Sequence, residues 1–305
     1  MIAAGTRLTA EEVERGYNNR AAVPEHPYWF EQFAVRSKAA VDALRPVLDI
    51  RYGPGPKETL DLFLPARPAL GTLMFIHGGY WRALDKSEHA FVAPAFVAAG
   101  YAVANVNYDL CPDVTIAAIV EESRRAVEWI AREGERHGAP APLVIAGHSA
   151  GGHMAAMMYA TDWRARGFAE VPFAGGVSLS GVHDLTPLVL YSLNADFRLD
   201  DAEARRLSPI HAEAKTTAPL VVAVGADETS EFVRQSQLMW DAWPRNRPTG
   251  MQSVLAIPQR HHFNVVLDYT DPASALTQAT LALFDARAGV ICSAPGFRGT
   301  DWTLR

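Results

Sequence analysis

Ser149 lies in Gly147-His148-Ser149-Ala150-Gly151, directly after the apolar run 143–146 and before the small-residue stretch Met154-Ala155-Ala156-Met157-Met158. A serine between glycines at a strand-to-helix turn is a nucleophile held on a sharp, strained bend. The glycines are required there because a Cβ would collide with the neighbouring strand or helix. A serine hydroxyl is a poor nucleophile until a histidine takes its proton, and that histidine needs an orienting carboxylate. With the chain order Ser, acid, His, the acid belongs in a loop after a later strand. The run 220–224 ends in Gly225-Ala226-Asp227-Glu228-Thr229, which makes Asp227 the first candidate acid and Glu228 the alternative. Asp184, after the preceding strand, reads instead as an anchor for an inserted lid. The histidine should follow the last strand, where His261 and His262 stand side by side; His262 is preferred.

Acyl transfer also needs preorganised N–H donors for the developing oxyanion. His77-Gly78-Gly79-Tyr80-Trp81 follows the apolar run 73–76 and lets the backbone approach a substrate closely. The oxyanion donors are therefore assigned to the amides of Ala150 and of Gly78 or Gly79, with the His77 ring holding the loop. Tyr80 and Trp81 follow these glycines and are expected to wall the substrate pocket, with His148 and Trp29 as further substrate-binding candidates. His153 flanks the elbow, and His183 and His211 lie in a lid-like stretch. Neither H-x-x-x-H nor C-x-x-C occurs, so no metal is expected, and the chemistry calls for no cofactor.

These residues must be positioned by the elements between them. Segments 49–52 and 59–64 alternate like half-exposed strands around Gly53-Pro54-Gly55-Pro56, a hairpin signal. Short apolar runs at 72–76, 102–106, 143–146, 176–179, 220–224 and 253–257 read as buried parallel strands. Helical periodicity fills 115–137, 150–161, 230–242 and 273–287. The pattern predicts an α/β-hydrolase fold: a mostly parallel central sheet with an antiparallel N-terminal hairpin, helices on both faces and a small lid at about 182–216. Residues 1–45 read as a helical segment packed on the body or forming a cap over the pocket. Residues 46–288 form the hydrolase domain, and 289–305 an irregular tail.

Of the 305 residues, 49% are hydrophobic and 20% charged, with a net charge of −6. Such a chain buries roughly three quarters of its unfolded surface without staples, and it lacks the basic face of a nucleic-acid binder. Cys111 and Cys292 stand far apart, which fits a reducing compartment. The first residues lack the apolar core of a signal peptide, and no apolar run reaches the roughly 20 residues of a membrane span. A cytoplasmic protein is expected. Its expected partner is a small molecule with an aromatic or acyl group, neither nucleic acid nor membrane; a homodimer is left open.

With these residues in hand, the sequence resembles the arylformamidases, or kynurenine formamidases. Residues 77–81 are similar to the family's HGGYW oxyanion motif, and 147–153 to its GHSAGAH elbow. Ser180-Gly181-Val182-His183-Asp184-Leu185-Thr186-Pro187-Leu188 resembles its SG-hydrophobic-x-DLxPL segment. Residues 225–232 resemble its GxxDxPEF acid loop, with one residue fewer before the Asp, and His262-Phe263 its HF pair, which adds to the preference for His262. The likeness spans roughly residues 48–287. Where the family has Asp on either side of the HF pair, this chain has His261 and Asn264, and Ser230 replaces the usual proline. The resemblance implies hydrolysis of N-formylkynurenine to kynurenine and formate, a step of tryptophan catabolism. Carboxylester, arylamide and carbamate hydrolysis are the other reactions open to such a site. A catalytically silent scaffold is disfavoured by the intact nucleophile, acid and histidine.

Overall fold

A computed structural model describes residues 8–285. The strands form an eight-stranded sheet in the order β1-β2-β4-β3-β5-β6-β7-β8. They are β1 (Val47–Arg51), β2 (Thr59–Phe63), β3 (Thr72–Ile76), β4 (Ala102–Val106), β5 (Leu143–His148), β6 (Gly175–Leu179), β7 (Leu220–Gly225) and β8 (Leu255–Ile257). β1 and β2 make the predicted antiparallel hairpin, β2 also runs antiparallel to β4, and the remaining pairs are parallel. The apolar runs are unbroken because both faces are covered. Leu73, Phe75, Val144, Ala146, Val221 and Ala223 enter the core on one face. Their neighbours Met74, Ile76, Ile145, Val222 and Val224 enter the core on the other. β8 is shorter than its predicted run; it is an edge strand with only β7 to pair with.

The helices are α1 (Ala10–Tyr17), α2 (Asn19–Ala22), α3 (His26–Leu44), α4 (Ala93–Ala98), α5 (Ile116–Glu133), α6 (Ala150–Tyr159), α7 (Asn194–Phe197), α8 (Asp201–Arg206), α9 (Ser230–Ala242) and α10 (Ala275–Asp285). α5, α6 and α9 cover one face through Ile119, Val127, Met154, Phe232 and Met239. α3, α4 and α10 cover the other through Phe33, Phe96, Leu276 and Leu283. α5 starts where the Thr115 hydroxyl accepts the Ala118 amide and ends before its predicted limit, in a 3₁₀ turn closed by Gly138 at φ 86°. Between β6 and β7 the lid-like stretch folds as 3₁₀ turns at Thr186–Leu190 and Pro209–His211 around α7 and α8. The Asp184 carboxylate accepts the Thr186 amide and hydroxyl at 3.0 and 2.6 Å, anchoring the first of these turns. Among the described residues, no helix is long and apolar enough to cross a membrane. The irregular tail at 289–305, Cys292 and the last residues of the hydrolase segment lie outside the described residues.

The N-terminal helices are tied to the hydrolase body at several points. The Thr229 hydroxyl donates to the Gly16 carbonyl at 2.6 Å, and the Tyr80 hydroxyl to the Tyr17 carbonyl at 2.7 Å. Gln235 donates to the Tyr17 hydroxyl at 2.7 Å. α1 and α2 are thereby set against the loop after β3, the loop after β7 and α9.

One buried carboxyl on α5 makes the fold sensitive to pH. Burial, together with the nearby Asp109 and Glu58 carboxylates, pushes Glu122 up to about 7, although its side chain accepts the Asp109 amide at 2.8 Å. The native state therefore binds this proton more tightly than the unfolded chain. Its stabilisation is complete below the ordinary carboxylate range and is lost as pH rises through about 7. Glu122→Gln keeps an acceptor for Asp109 and cannot ionise. It is expected to raise the melting temperature by roughly 2 °C or more at pH 8 and to leave it unchanged near pH 4.5. Thermal melts across that range check this; equal shifts at both ends would contradict it.

Candidate active site

The strand order reverses direction around β3, which lies between β4 and β5. Ligands of parallel sheets bind outside the carboxyl ends of strands at such a switch point. Register pairs Ile76 with Gly147, so the loop after β3 and the turn after β5 emerge side by side. At that turn Ser149 has φ 58° and ψ −117°, a strained conformation for a residue with a side chain. A Cβ on Gly147 would lie 2.1 Å from the Gly151 carbonyl oxygen, and one on Gly151 would lie 2.0 Å from that of Ile76. Only glycine fits at either position. Ala150 opens α6, so its amide is among those a helix leaves without an internal acceptor.

His262, in the loop after β8, places Nε2 3.0 Å from Ser149 Oγ, and its Nδ1 lies 2.6 Å from Glu228 Oε2. The Glu228 side chain is fully enclosed. Its Oε1 accepts the Gly225 amide at 2.9 Å and the Ser180 hydroxyl. Both carboxylate oxygens are thus engaged, and the imidazole is fixed at its two ends.

The carboxylate that meets His262 is therefore not that of the first candidate acid. Asp227 is exposed and makes no contact with His262; its backbone amide donates to Arg260 at 2.9 Å and turns its side chain outward. The extra methylene of Glu228 carries a carboxylate back under the imidazole. A signal for this was present: in the GxxDxPEF pattern the acid precedes the Glu-Phe pair by three residues, and counting back from Glu231-Phe232 reaches Glu228. Ser180, which fixes that carboxylate, lay within a recognised motif without an assigned role. His261 is turned into its own loop, where Nδ1 accepts the Phe263 and Asn264 amides at 3.2 and 3.3 Å.

The loop after β3 is held from behind. His77 stacks on Tyr108 with ring centroids 4.2 Å apart, and its Nδ1 lies 2.7 Å from the Gly78 carbonyl. The Tyr108 hydroxyl donates to the carbonyls of His77 and Gly78 at 2.9 and 3.0 Å. In a trans peptide the N–H points opposite to the C=O, so the amides of Gly78 and Gly79 face away from Tyr108. A Cβ on Gly78 would be 3.1 Å from that of Ser149, which shows how closely the loop approaches this serine. Burial holds the His77 imidazole below its ordinary range, in keeping with the structural role expected of it.

A cavity of about 190 Å³ opens above Ser149 and His262. Gly79, Tyr80 and His148 line it, as expected. The His148 ring lies 4.8 Å from that of His262, and burial, then the neighbouring imidazole, holds it well below its ordinary range. Two expected wall residues are elsewhere. Trp81 is fully buried in the core, edge-on to His153 at 5.1 Å and Phe197 at 5.7 Å. Tyr80 and Trp81 both have positive φ, 50° and 55°, and this tight turn sends the first ring to the cavity and the second inward. Trp29 packs edge-on against His261 at 5.1 Å and is absent from the cavity wall. Successive positions on a helix diverge by about 100°, and the wall is formed instead by Phe30 and Phe33 of the same helix. Tyr191 and Leu193 of the lid and Glu14, Asn18, Asn19 and Arg20 of the N-terminal segment complete it. The leading helices thus cap the cavity. Among the described residues, no group of three or more His, Cys, Asp or Glu side chains stands together as metal ligands would.

This arrangement is shared with known proteins. The BD-FAE family model matches residues 60–171. A kynurenine formamidase from Salmo salar is 30% identical over 78% of this chain and 81% of its own length. The chain belongs to the kynurenine formamidase family. Another member, from Danio rerio, is 28% identical over 81% of this chain and 85% of its own. A solved structure from Silicibacter sp., provisionally assigned as a thioesterase, superposes with a TM-score of 0.78 at 31% identity, over 88% of this chain and 99% of its own. As a kynurenine formamidase relative with an α/β-hydrolase fold, the protein is a hydrolase of the ester and amide type.

Proposed function

We propose that the protein is a serine hydrolase that cleaves N-formylkynurenine to kynurenine and formate through a formyl-enzyme. The observation that carries the mechanism is the continuous chain from Glu228 through His262 to Ser149, with links of 2.6 and 3.0 Å. Ser149 Oγ attacks the formamide carbonyl carbon as His262 Nε2 takes its proton. The resulting oxyanion lies within reach of the Ala150 amide and those of Gly78 and Gly79. Such donors stabilise charge only where it develops, so they lower the barrier rather than tighten the ground state. Glu228 keeps Nδ1 protonated and balances the imidazolium. His262 then protonates the aniline nitrogen as the C–N bond breaks, and kynurenine leaves. Water, deprotonated by His262, attacks the formyl ester; formate departs and Ser149 recovers its proton.

The substrate is supported by the family and by the cavity walls. Phe30, Phe33, Tyr80 and Phe263 offer aromatic surface for an aryl leaving group. The test is kcat/KM for N-formyl-L-kynurenine beside p-nitrophenyl acetate, with Ser149→Ala as blank. A preference of about 100-fold or more for the formamide, roughly 2.7 kcal/mol of transition-state binding, is expected. A preference for the ester would keep the mechanism and replace the substrate by short-chain aryl esters.

A further inference from the structure

The cavity wall carries charged groups that the reaction centre does not use. Glu14 and Arg20, from the N-terminal segment, line the same cavity as Ser149 and His262. The other lining cation, Arg82, is paired with Asp196. Arg20 has no carboxylate within ion-pair distance among the described residues; its guanidinium lies over the Phe30 ring, 5.5 Å from the centroid. Asn19 beside it is only 4% exposed and lines the cavity, yet its side-chain nitrogen has no acceptor. Buried donors of this kind ordinarily have partners, so this one points to a ligand. Asn18, by contrast, is satisfied: its Oδ1 accepts the Ala21 amide at 3.0 Å and its Nδ2 donates to Glu14 Oε1 at 3.0 Å. That bond orients the Glu14 carboxylate and engages one of its oxygens.

We propose that this part of the cavity wall is a binding site for the α-amino-acid head of the substrate, with Arg20 and Asn19 receiving its carboxylate and Glu14 its ammonium group. The proposal rests on the serine-hydrolase reading and assigns the residues that recognise a zwitterionic side chain on an aryl formamide or ester. A guanidinium and an amide offer planar N–H donors suited to a carboxylate. A stacked guanidinium is already oriented, so less freedom is lost on binding. Opposite charges on the wall of one cavity discriminate a zwitterion from a neutral ligand. A neutral substrate leaves these groups unpaired, the stronger form of selectivity.

The experiment compares N-formyl-L-kynurenine with 2′-formamidoacetophenone, which has the same aryl ketone and formamide but no amino-acid head. Wild-type protein is expected to prefer the former by about tenfold or more in kcat/KM. Arg20→Met should raise KM for it about tenfold, with kcat nearly unchanged and the truncated ketone unaffected; Arg20→Lys should recover part of the loss. Equal treatment of the two substrates by wild type, or an equal loss on both in Arg20→Met, would overturn the proposal. If p-nitrophenyl acetate is cleaved but neither formamide is, the substrate assignment fails separately. The head site is then read from O-acetyl-L-tyrosine against phenyl acetate: a preference abolished by Arg20→Met sustains it, and no preference refutes it.

Discussion

Ser149→Ala is expected to fold like the parent and to lose turnover by about 10⁴-fold or more. The substitution removes one oxygen, whose hydrogen-bond partner within the protein is His262. The backbone at this residue is strained for alanine as it is for serine, and the glycines that permit the turn remain. Thermal melting should therefore shift little while hydrolysis of both p-nitrophenyl acetate and N-formyl-L-kynurenine collapses. Labelling by a fluorophosphonate should vanish with the activity. Retention of more than about one hundredth of the wild-type rate would mean that another group attacks the carbonyl.

The second large effect separates two neighbouring carboxylates. Glu228→Gln should lower kcat by about 10³-fold or more, whereas Asp227→Asn should stay within about twofold of wild type. Glutamine keeps the length of the side chain and an oxygen for the Ser180 hydroxyl or the Gly225 amide. It removes the charge that balances an imidazolium, and its amide can favour the wrong histidine tautomer. Alanine would be a poorer test, because it would also strand the Ser180 and Gly225 donors in a buried site. The reverse outcome, a collapse in Asp227→Asn with Glu228→Gln active, would return the acid to Asp227.

Neighbouring carboxylates such as Asp227 and Glu228 differ in direction, which residue type and spacing do not specify. The strands were legible because a sheet covered on both faces needs unbroken apolar runs, and 72–76, 102–106 and 143–146 supply them. Ser149 was legible because a strained turn admits few residue types at fixed offsets. Which of Asp227 and Glu228 meets His262 is a question of direction. It is settled by Ala226 bonding back to Ile257 and Asp227 to Arg260, contacts made only when β7 and β8 pair. The same limit applies to Trp81. It directly follows Gly78, Gly79 and Tyr80, but two successive left-handed residues turn its side chain into the core rather than to the cavity. In α3 the aromatic cluster was visible, but its phase relative to the cavity depends on how the helix docks, and that exchanged Trp29 for Phe30 and Phe33.

The leading helices cap the cavity without contributing to the Ser149–His262–Glu228 chain. Ser149, Glu228 and His262 stand on turns and loops of the sheet, and the BD-FAE match at 60–171 includes Ser149 and the loop after β3 but none of α1–α3. Part of the cavity wall, Glu14, Asn18, Asn19, Arg20, Phe30 and Phe33, thus comes from a stretch of chain separate from Ser149, Glu228 and His262. Substitutions at Phe30 and Phe33 are expected to alter which leaving group is accepted, read as a change in the ratio of kcat/KM for formamide and ester, with fluorophosphonate labelling of Ser149 retained. Exchanging that stretch, with the Gly16 and Tyr17 contacts preserved, is expected to change the leaving group accepted while the Ser149–His262–Glu228 chain stays in place.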